Sequence, residues 1–297
     1  MQTTLLGVNL KNPVIAASGT FGFGAEYLQF FDPSMLGGIS SKGLTLNGSQ
    51  GNEGVRIWET PSGMLNSIGL ENPGVRRFIA EEYPKMRAIS AAMLVNLGGH
   101  SIEDYLEGAE LLNGVDLDIL ELNISCPNVK SGGMAFGMDE DLAAEVVSRV
   151  KSLSRHPLLV KLTPNAPNIV SLALACEDAG ADGLSLVNTF LGMAIDIGQK
   201  KAVFRNVNAG LSGPAILPIA LSMVHRVAKA VKIPVVGLGG IMTWRDALSF
   251  LMAGACAVQV GTASFADPLA MPQIIQGLRL YCQSEGLKNI AEIVGAV

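Results

Sequence analysis

A cysteine lies where an apolar run meets a polar, glycine-rich loop. Residues 122–137 read LNISCPNVKSGGMAFG, so that Cys126 follows Asn123 and Ser125 and precedes Asn128. A thiol in this position can be a reactive group, a metal ligand or a small buried hydrophobe. The 4 cysteines and the 3 histidines are scattered along the chain, so the spacings of zinc and iron–sulfur sites are absent and we predict no metal site.

Polar residues or glycines also end the other apolar runs of the chain. Two of these ends carry a lysine, Lys42 and Lys161. A lysine beside a buried strand costs free energy unless it has an anionic partner, so the two lysines favour a functional site over a purely structural role. The alternatives are lysines that reach solvent and asparagines that cap the next turn. The residues at these ends are Ser18, Lys42, Asn96, Asn123, Lys161, Asn188, Gly239, Gly240, Gly261 and Thr262.

Eight short apolar runs are typical of buried parallel strands. Helical periodicity separates most of them, and repeated strand–helix alternation predicts a parallel sheet with helices outside. Eight such units favour a (β/α)8 barrel, a single domain over residues 1–297, whose strands all end at the face that carries the active site. The predicted strands are Pro13–Ser18, Gly38–Gly43, Ala92–Asn96, Asp118–Asn123, Leu158–Leu162, Gly183–Asn188, Pro234–Gly240 and Ala257–Thr262.

Composition excludes several classes of protein. Hydrophobic residues make up 49% of the chain and charged residues 16%, which allows a large core and little disorder. The net charge of −5 and the lack of a basic run argue against nucleic acid as a partner. The first residues, MQTTLLGVNLKNPV, lack a signal-peptide pattern, and we expect a cytoplasmic protein. Residues 247–266 are uncharged, but Gly254 and Gly261 divide them into a helix end, a turn and a strand rather than a membrane span.

The last two strand ends suggest a phosphate site. The sequences GLGGI and VGTAS, together with Gly213 in GLSGPAI, would let backbone N–H groups approach a phosphate. Lys161 and Asn96 would then face the middle of the ligand, where a lysine stabilises a reduced, anionic ring. A flavin mononucleotide (FMN) fits this arrangement, and so does a phosphosugar. There are two rival interpretations. The chain could be an aldolase or isomerase that forms a Schiff base on Lys161, or a non-catalytic subunit of an assembly.

Several motifs in order along nearly the whole chain resemble dihydroorotate dehydrogenase. They are NPVIAASGTFGFGAEY, SSKGLT, NSIGLENPG, NISCPNVKSGGMAFG, VKLTPN, LVNT, GLSGPA, GLGGI and VGTA. The resemblance implies an FMN enzyme that oxidises (S)-dihydroorotate to orotate in pyrimidine biosynthesis.

The resemblance also implies a role for individual residues. Cys126 occupies the position of the family's catalytic base, at which the membrane-associated branch of the family normally has a serine. The residues expected around FMN are Ser18, Lys42, Gly43, Asn96, Asn123, Lys161, Val187, Gly213, Gly239, Gly240, Gly261 and Thr262. Those expected to hold the substrate are Lys42, Asn66, Ser67, Ile68, Gly69, Leu70, Asn123, Asn128, Asn188 and Thr189.

Within the family, SGTFGFG and NVKSGGMAFG resemble the NAD-linked type more than the fumarate-linked type. The resemblance to that type implies a partner subunit with FAD and a [2Fe–2S] cluster, and a homodimer of this chain within a heterotetramer. No apolar extension precedes TTLLGVNL, which disfavours the quinone-using membrane branch. We also expect the loop NVKSGGMAFGMD to act as a lid over the substrate.

Overall fold

A closed barrel of parallel strands forms the centre of this computed structural model. The structure describes residues 1–125, 127–128 and 134–297, with 127, 128, 134 and 135 described as backbone only. The barrel strands, labelled in chain order, are β1 (Val14–Ala16), β2 (Gly38–Ser40), β3 (Ala92–Leu97), β4 (Ile119–Asn123), β5 (Leu158–Lys161), β6 (Gly183–Leu186), β7 (Val235–Leu238) and β8 (Ala257–Val260).

Strand order in the barrel follows chain order, and β8 closes the ring by pairing with β1. Val258 of β8 lies opposite Val14 of β1, and each of the other neighbouring pairs is also parallel. The predicted (β/α)8 barrel is therefore confirmed. Seven of the eight predicted strands contain the observed one, while the observed β3 runs one residue past its predicted end, to Leu97. Six predicted runs extend past the observed strand, five of them because they include the polar residues and glycines of the mouth.

Helices surround the barrel and bury their apolar faces against it. Side-chain N-caps begin several of them: Ser101 accepts a hydrogen bond from the backbone N–H of Asp104, and Thr243 forms a capping box with Asp246. The α-helices of the described part are Val75–Arg77, Tyr83–Arg87, Ile102–Leu112, Glu140–Leu153, Ile169–Asp178, Leu217–Ala230, Trp244–Met252, Ala263–Ala266 and Ala270–Ser284, with a π-helical turn over Phe78–Glu82.

A two-stranded hairpin closes the end of the barrel opposite the mouth. Its strands, Thr3–Leu5 and Val8–Leu10, pair antiparallel, and Leu5 and Leu10 pack into a cluster with Ile15 and other buried barrel residues. Burying these side chains excludes water from this end of the barrel. Ligands therefore have their access at the opposite, C-terminal face.

A separate antiparallel sheet stands over that face. It joins Ile57–Thr60, Gly63–Asn66, Phe190–Met193 and Asn208–Ser212, which belong to the loops after β2 and β6. This sheet could not be predicted from the sequence, because its short strands interrupt loops that carry no long apolar run. The sheet matters for the site, since Asn66 ends one strand of it and Thr189 precedes another.

The uncharged segment 247–266 has the predicted division. It contains the end of the helix Trp244–Met252, a turn at Gly254 and the strand β8. No helix in the parts of the chain that the structure describes has both the length and the apolarity needed to cross a membrane.

Candidate active site

The strands open onto a cavity of about 760 Å³ at the C-terminal face of the barrel. Its volume lies within the range of small-molecule and cofactor sites. Residues at or just after the ends of every barrel strand except β3 line it, and the accessory sheet supplies one side. The barrel therefore brings the sequence-predicted strand ends together at one place.

Most of the residues predicted around the cofactor or the substrate line this cavity. Those that do are Ser18, Lys42, Gly43, Asn66, Ser67, Ile68, Gly69, Leu70, Asn123, Lys161, Val187, Asn188, Thr189, Gly239, Gly240, Gly261 and Thr262. Asn96 and Gly213 are not part of the lining but lie directly behind it. Asn128 has no described side chain, and Cys126 lies outside the described residues.

Three glycines form a tight backbone cradle beside β7 and β8. Gly213, Gly239 and Gly240 have φ values of 97°, 129° and 75°, which L side chains rarely adopt. A Cβ atom on Gly240 would lie 2.8 Å from the carbonyl oxygen of Gly213 and 2.8 Å from the backbone nitrogen of Leu217. Only glycine leaves this backbone exposed to a ligand.

The cradle lies next to the start of the helix Leu217–Ala230, which places the positive end of the helix dipole beside it. Thr262 donates a hydrogen bond of 2.9 Å from Oγ1 to Ser212 Oγ, which ties the end of β8 to the accessory sheet. Backbone amides, a helix N-terminus and hydroxyl groups are the donors that a phosphate group needs. The cradle therefore fits the phosphate of FMN.

Two amide side chains near the ends of β4 and β6 present N–H groups to the cavity. Asn123 Oδ1 accepts hydrogen bonds from the backbone of Ser125 (3.1 Å) and from Asn188 Nδ2 (3.4 Å). Asn188 Oδ1 accepts one from the backbone of Thr189 at 2.8 Å. Because both oxygens are occupied, the N–H groups and the nearby ammonium of Lys42 remain for a ligand, and they suit its carboxylate and carbonyl oxygens.

The loop Asn66–Leu70 is held in place by a buried asparagine that follows it. Asn72 donates to the carbonyl of Leu70 (2.6 Å) and to Thr45 Oγ1 (3.0 Å), while its oxygen accepts from the backbone of Thr45 (3.0 Å) and Gly74 (2.9 Å). Leu70 has a positive φ of 50°, a conformation unusual for leucine. The contacts of Asn72 maintain this backbone, and with it the position of Asn66 on the opposite rim.

Lys161 has the anionic partner that its burial requires. Its side chain lines the cavity at 5% exposure, and the carboxylate of Glu121 lies within charge–charge range below it. Burial alone would raise the pKa of Glu121, but the Lys161 charge and hydrogen bonds from Ser40, Gln259 and Asn96 hold this pKa below its usual value. The electrostatic attraction between the two charges offsets part of the cost of placing a lysine at the end of a buried strand.

Sequence reasoning missed Glu121, Gln259 and Asn165. Glu121 and Gln259 lie in the apolar strands β4 and β8, and a polar residue inside such a run was the signal. Asn165, in the VKLTPN motif, donates to the carbonyl of Thr189 (3.1 Å) and accepts from the backbone of Leu191 (3.0 Å). It thereby clamps the segment that follows β6.

The other cysteines do not belong to the site. Burial raises the pKa of Cys176 to about 12 and that of Cys256 to about 11. Both lie away from the cavity lining, as does Cys282 in the helix Ala270–Ser284. Among the described residues, no group of histidine, cysteine, aspartate or glutamate side chains could hold a metal ion.

The family model described as dihydroorotate dehydrogenase matches residues 1–281. The chain belongs to the dihydroorotate dehydrogenase family. This confirms the resemblance inferred from the sequence motifs.

Relatives that are about 50% identical to this family member align with it over nearly its whole length. A protein of Petrotoga mobilis is 54% identical over 296 residues, which cover 100% of this chain and 99% of the relative. One of Geotalea uraniireducens is 50% identical and covers 100% of this chain and 98% of the relative, and one of Bacteroides thetaiotaomicron is 50% identical with 98% and 96% covered. Each of these three relatives is named "Dihydroorotate dehydrogenase B (NAD(+)), catalytic subunit".

Proposed function

We propose that this chain is an FMN enzyme that oxidises (S)-dihydroorotate to orotate in the synthesis of pyrimidine nucleotides. One observation carries the proposal most directly: Gly239 and Gly240 of the cradle line the same cavity as the amides of Asn123 and Asn188 and the side chain of Lys161. A phosphate-bearing ring cofactor and a small anionic substrate can therefore bind side by side. The names of the relatives support the same reaction.

The residues around the cradle would hold FMN. Gly213, Gly239 and Gly240 would receive its phosphate, and Lys161 would lie under its ring. Bound FMN would supply the acceptor for the hydride that leaves C6 of the substrate. A lysine in this place stabilises negative charge as it develops on an electron-accepting ring.

The substrate would lie beside the flavin ring, gripped at its oxygens. Lys42, with Asn123 and Asn188, offers donors to a carboxylate and ring carbonyls, and Asn66 offers an amide from the opposite rim. Asn66 Nδ2 already donates to the carbonyl of Gly210 at 3.2 Å, which fixes the orientation of its side chain. A substrate with alternating C=O and N–H edges matches these amides.

Cys126 would remove the proton from C5, which is acidified by the neighbouring carbonyl. Ser125, the residue before it, lines the cavity, and this supports the assignment. A thiol with an ordinary pKa of about 8.5 is a weak base at neutral pH, so activity should rise with pH as the thiolate forms. We also propose that the loop 128–139, of which residues 129–133 lie outside the described residues, closes over the substrate and excludes water. Limited proteolysis with and without orotate tests this, and equal cleavage contradicts it.

The electrons would leave through a partner subunit. The chain has only 4 cysteines, scattered along the sequence, so a [2Fe–2S] cluster would have to reside on the partner. By the resemblance to the NAD-linked type, the partner would also carry FAD and pass the electrons to NAD⁺. The phrase "catalytic subunit" in the names of the relatives supports such a partner. We propose a homodimer of single-domain chains, residues 1–297, within a cytoplasmic heterotetramer that binds neither nucleic acid nor membrane.

Anaerobic reduction followed by reoxidation tests the proposal. Dihydroorotate should bleach the flavin absorbance of the purified chain, and NAD⁺ should restore it only when the partner subunit is present. Reoxidation by fumarate with the chain alone would contradict the NAD-linked assignment in favour of the fumarate-linked type. A colourless chain that forms a Schiff base on Lys161 with a phosphosugar would contradict the whole proposal.

A further inference from the structure

A buried carboxylate accepts hydrogen bonds from side chains of four barrel strands. Glu121 of β4 is completely buried. Its Oε2 accepts from Ser40 Oγ of β2 (2.6 Å) and Asn96 Nδ2 of β3 (2.7 Å). Its Oε1 accepts from Ser185 Oγ of β6 (2.9 Å) and Gln259 Nε2 of β8 (2.6 Å). Each carboxylate oxygen thus receives one hydroxyl and one amide.

An ionised carboxylate can only accept hydrogen bonds, and this fixes the orientation of its partners. The NH₂ groups of Asn96 and Gln259 must face Glu121, so their oxygens must point away from it. The charge of Lys161 and these hydrogen bonds hold the pKa of Glu121 below its usual range despite the burial that opposes ionisation. The four hydrogen bonds, all from groups that can donate, fit an ionised carboxylate that acts only as an acceptor.

The two outward-facing oxygens have no partner in the protein. Asn96 Oδ1 and Gln259 Oε1 are buried atoms without a hydrogen bond among the described residues. Gln259 lines the cavity. Asn96 Oδ1 lies only 3.0 Å from the point where a Cβ atom on Gly43, another lining residue, would be. Buried polar atoms without a partner are rare and costly, which indicates that a ligand supplies the missing donors.

We infer that Glu121 is a positioning residue that turns Asn96 and Gln259 into fixed hydrogen-bond acceptors for the bound cofactor. The inference rests on the proposed FMN site. Oxidised FMN carries two kinds of donor, the ring N–H and the hydroxyls of its side chain, and either can satisfy these oxygens. Gln259 thereby joins the predicted binding residues, with an acceptor role opposite to the donor role of Asn123.

Glu121→Gln tests the inference sharply because the two amides bind different oxygens of the carboxylate. Whichever way a glutamine is oriented, it places an NH₂ group against Asn96 or against Gln259, and that amide must turn or lose its contact. Ser185→Ala is the matched control, because it removes a donor from the same carboxylate but leaves both amides in place. The measurements are the dissociation constant of FMN from the apo chain, by quenching of flavin fluorescence, and the thermal midpoint of the apo chain.

We expect Glu121→Gln and Gln259→Met each to weaken FMN binding by about tenfold, and Ser185→Ala by less than about twofold. In the double variant Glu121→Gln/Gln259→Met, the dissociation constant of FMN should rise by clearly less than the product of the two single-variant increases, because Glu121 acts through Gln259. Losses that multiply fully would overturn the inference. The inference would also be overturned if Ser185→Ala weakened FMN binding as much as Glu121→Gln does, because the carboxylate would then be only a structural element.

FMN methylated at the ring nitrogen N3 identifies the donor. If Gln259→Met no longer weakens the binding of this analogue, the ring N–H is the donor to Gln259. If Gln259→Met still weakens it, the donor is a hydroxyl of the FMN side chain. Both results support a fixed acceptor at Gln259. An unchanged FMN affinity in Glu121→Gln and Gln259→Met overturns the inference and leaves the proposed function intact. A wild-type apo chain that does not bind FMN overturns the proposed function and the inference together.

Discussion

Asn188 Nδ2 donates a hydrogen bond of 3.4 Å to Asn123 Oδ1, although Asn188 follows β6 by two residues and Asn123 ends β4, on either side of β5. The contact bridges the mouth above Lys161, which ends β5 itself. It occupies the oxygen of Asn123 and turns the remaining N–H groups toward the cavity. The donor character of the substrate side thus arises from the fold and does not require a ligand to induce it.

Asn188→Ala should weaken substrate binding without loss of FMN. Removing a donor to a charged group costs about 1.5–3 kcal/mol, so the dissociation constant of orotate should rise roughly 10- to 100-fold. Titration of the flavin absorbance with orotate measures it. Asn9→Ala, an exposed site on the N-terminal hairpin, is the control and should bind orotate normally. Equal affinity in wild type and Asn188→Ala would remove Asn188 from the site.

Gly240→Ala should abolish or greatly reduce FMN content while the barrel still folds. The added Cβ would lie 2.8 Å from two backbone atoms of the cradle and would have to adopt a φ of 75°. Gly286→Ala has a similar φ of 66° but no atom within 4 Å of its added Cβ, so it controls for backbone strain alone. The flavin-to-protein absorbance ratio of the purified variants is the measurement. Full FMN content in Gly240→Ala would contradict the cradle.

Asn72→Ala should destabilise the substrate loop. The change leaves buried backbone groups of Thr45 and Gly74 without a partner, which costs about 2–3 kcal/mol of unfolding free energy. The KM for dihydroorotate should rise as well, because the loop Asn66–Leu70 loses its anchor. Urea unfolding and steady-state kinetics measure the two effects. Asn47→Ala, at an exposed neighbouring position, should change neither quantity.

Thiol reactivity should separate Cys126 from the buried cysteines. Folding raises the pKa of Cys176 to about 12 and that of Cys256 to about 11, from 9.0. The native thiols therefore stay protonated when the unfolded chain begins to ionise, so stability is unaffected below pH 9.0 and decreases as the pH rises toward 11.

At pH 8 an exposed-thiol reagent should label the native chain rapidly at one cysteine, and Cys126→Ala should remove that reaction. The rate of labelling, followed by mass spectrometry of peptides, identifies the residue. Rapid labelling of Cys176 in the native chain would contradict the burial of its thiol.

The sequence predicted the barrel and much of its mouth because both depend on local patterns. Apolar runs mark the eight strands, and a parallel barrel necessarily brings residues such as Lys42 and Lys161 to one face. The glycines at 239 and 240 are likewise visible in the sequence, since a close backbone approach requires them.

Contacts between distant segments could not be read in the same way. Glu121 looks like an interruption of a strand until the barrel closes and places Ser185 and Gln259 beside it. The clamp formed by Asn72 and the accessory sheet also depend on where loops meet in space. Donor or acceptor roles of asparagines follow from their neighbours, which the sequence alone does not specify.

Single-turnover reduction of bound FMN by dihydroorotate in stopped flow tests the central claim most directly. Wild type should bleach rapidly and completely. Cys126→Ala should keep its FMN but bleach more slowly by about 10²–10⁴-fold, the usual contribution of a positioned base, while Cys176→Ala should match wild type. An FMN-loaded wild-type chain that dihydroorotate does not reduce would contradict the account, and near-normal bleaching in Cys126→Ala would contradict its choice of base.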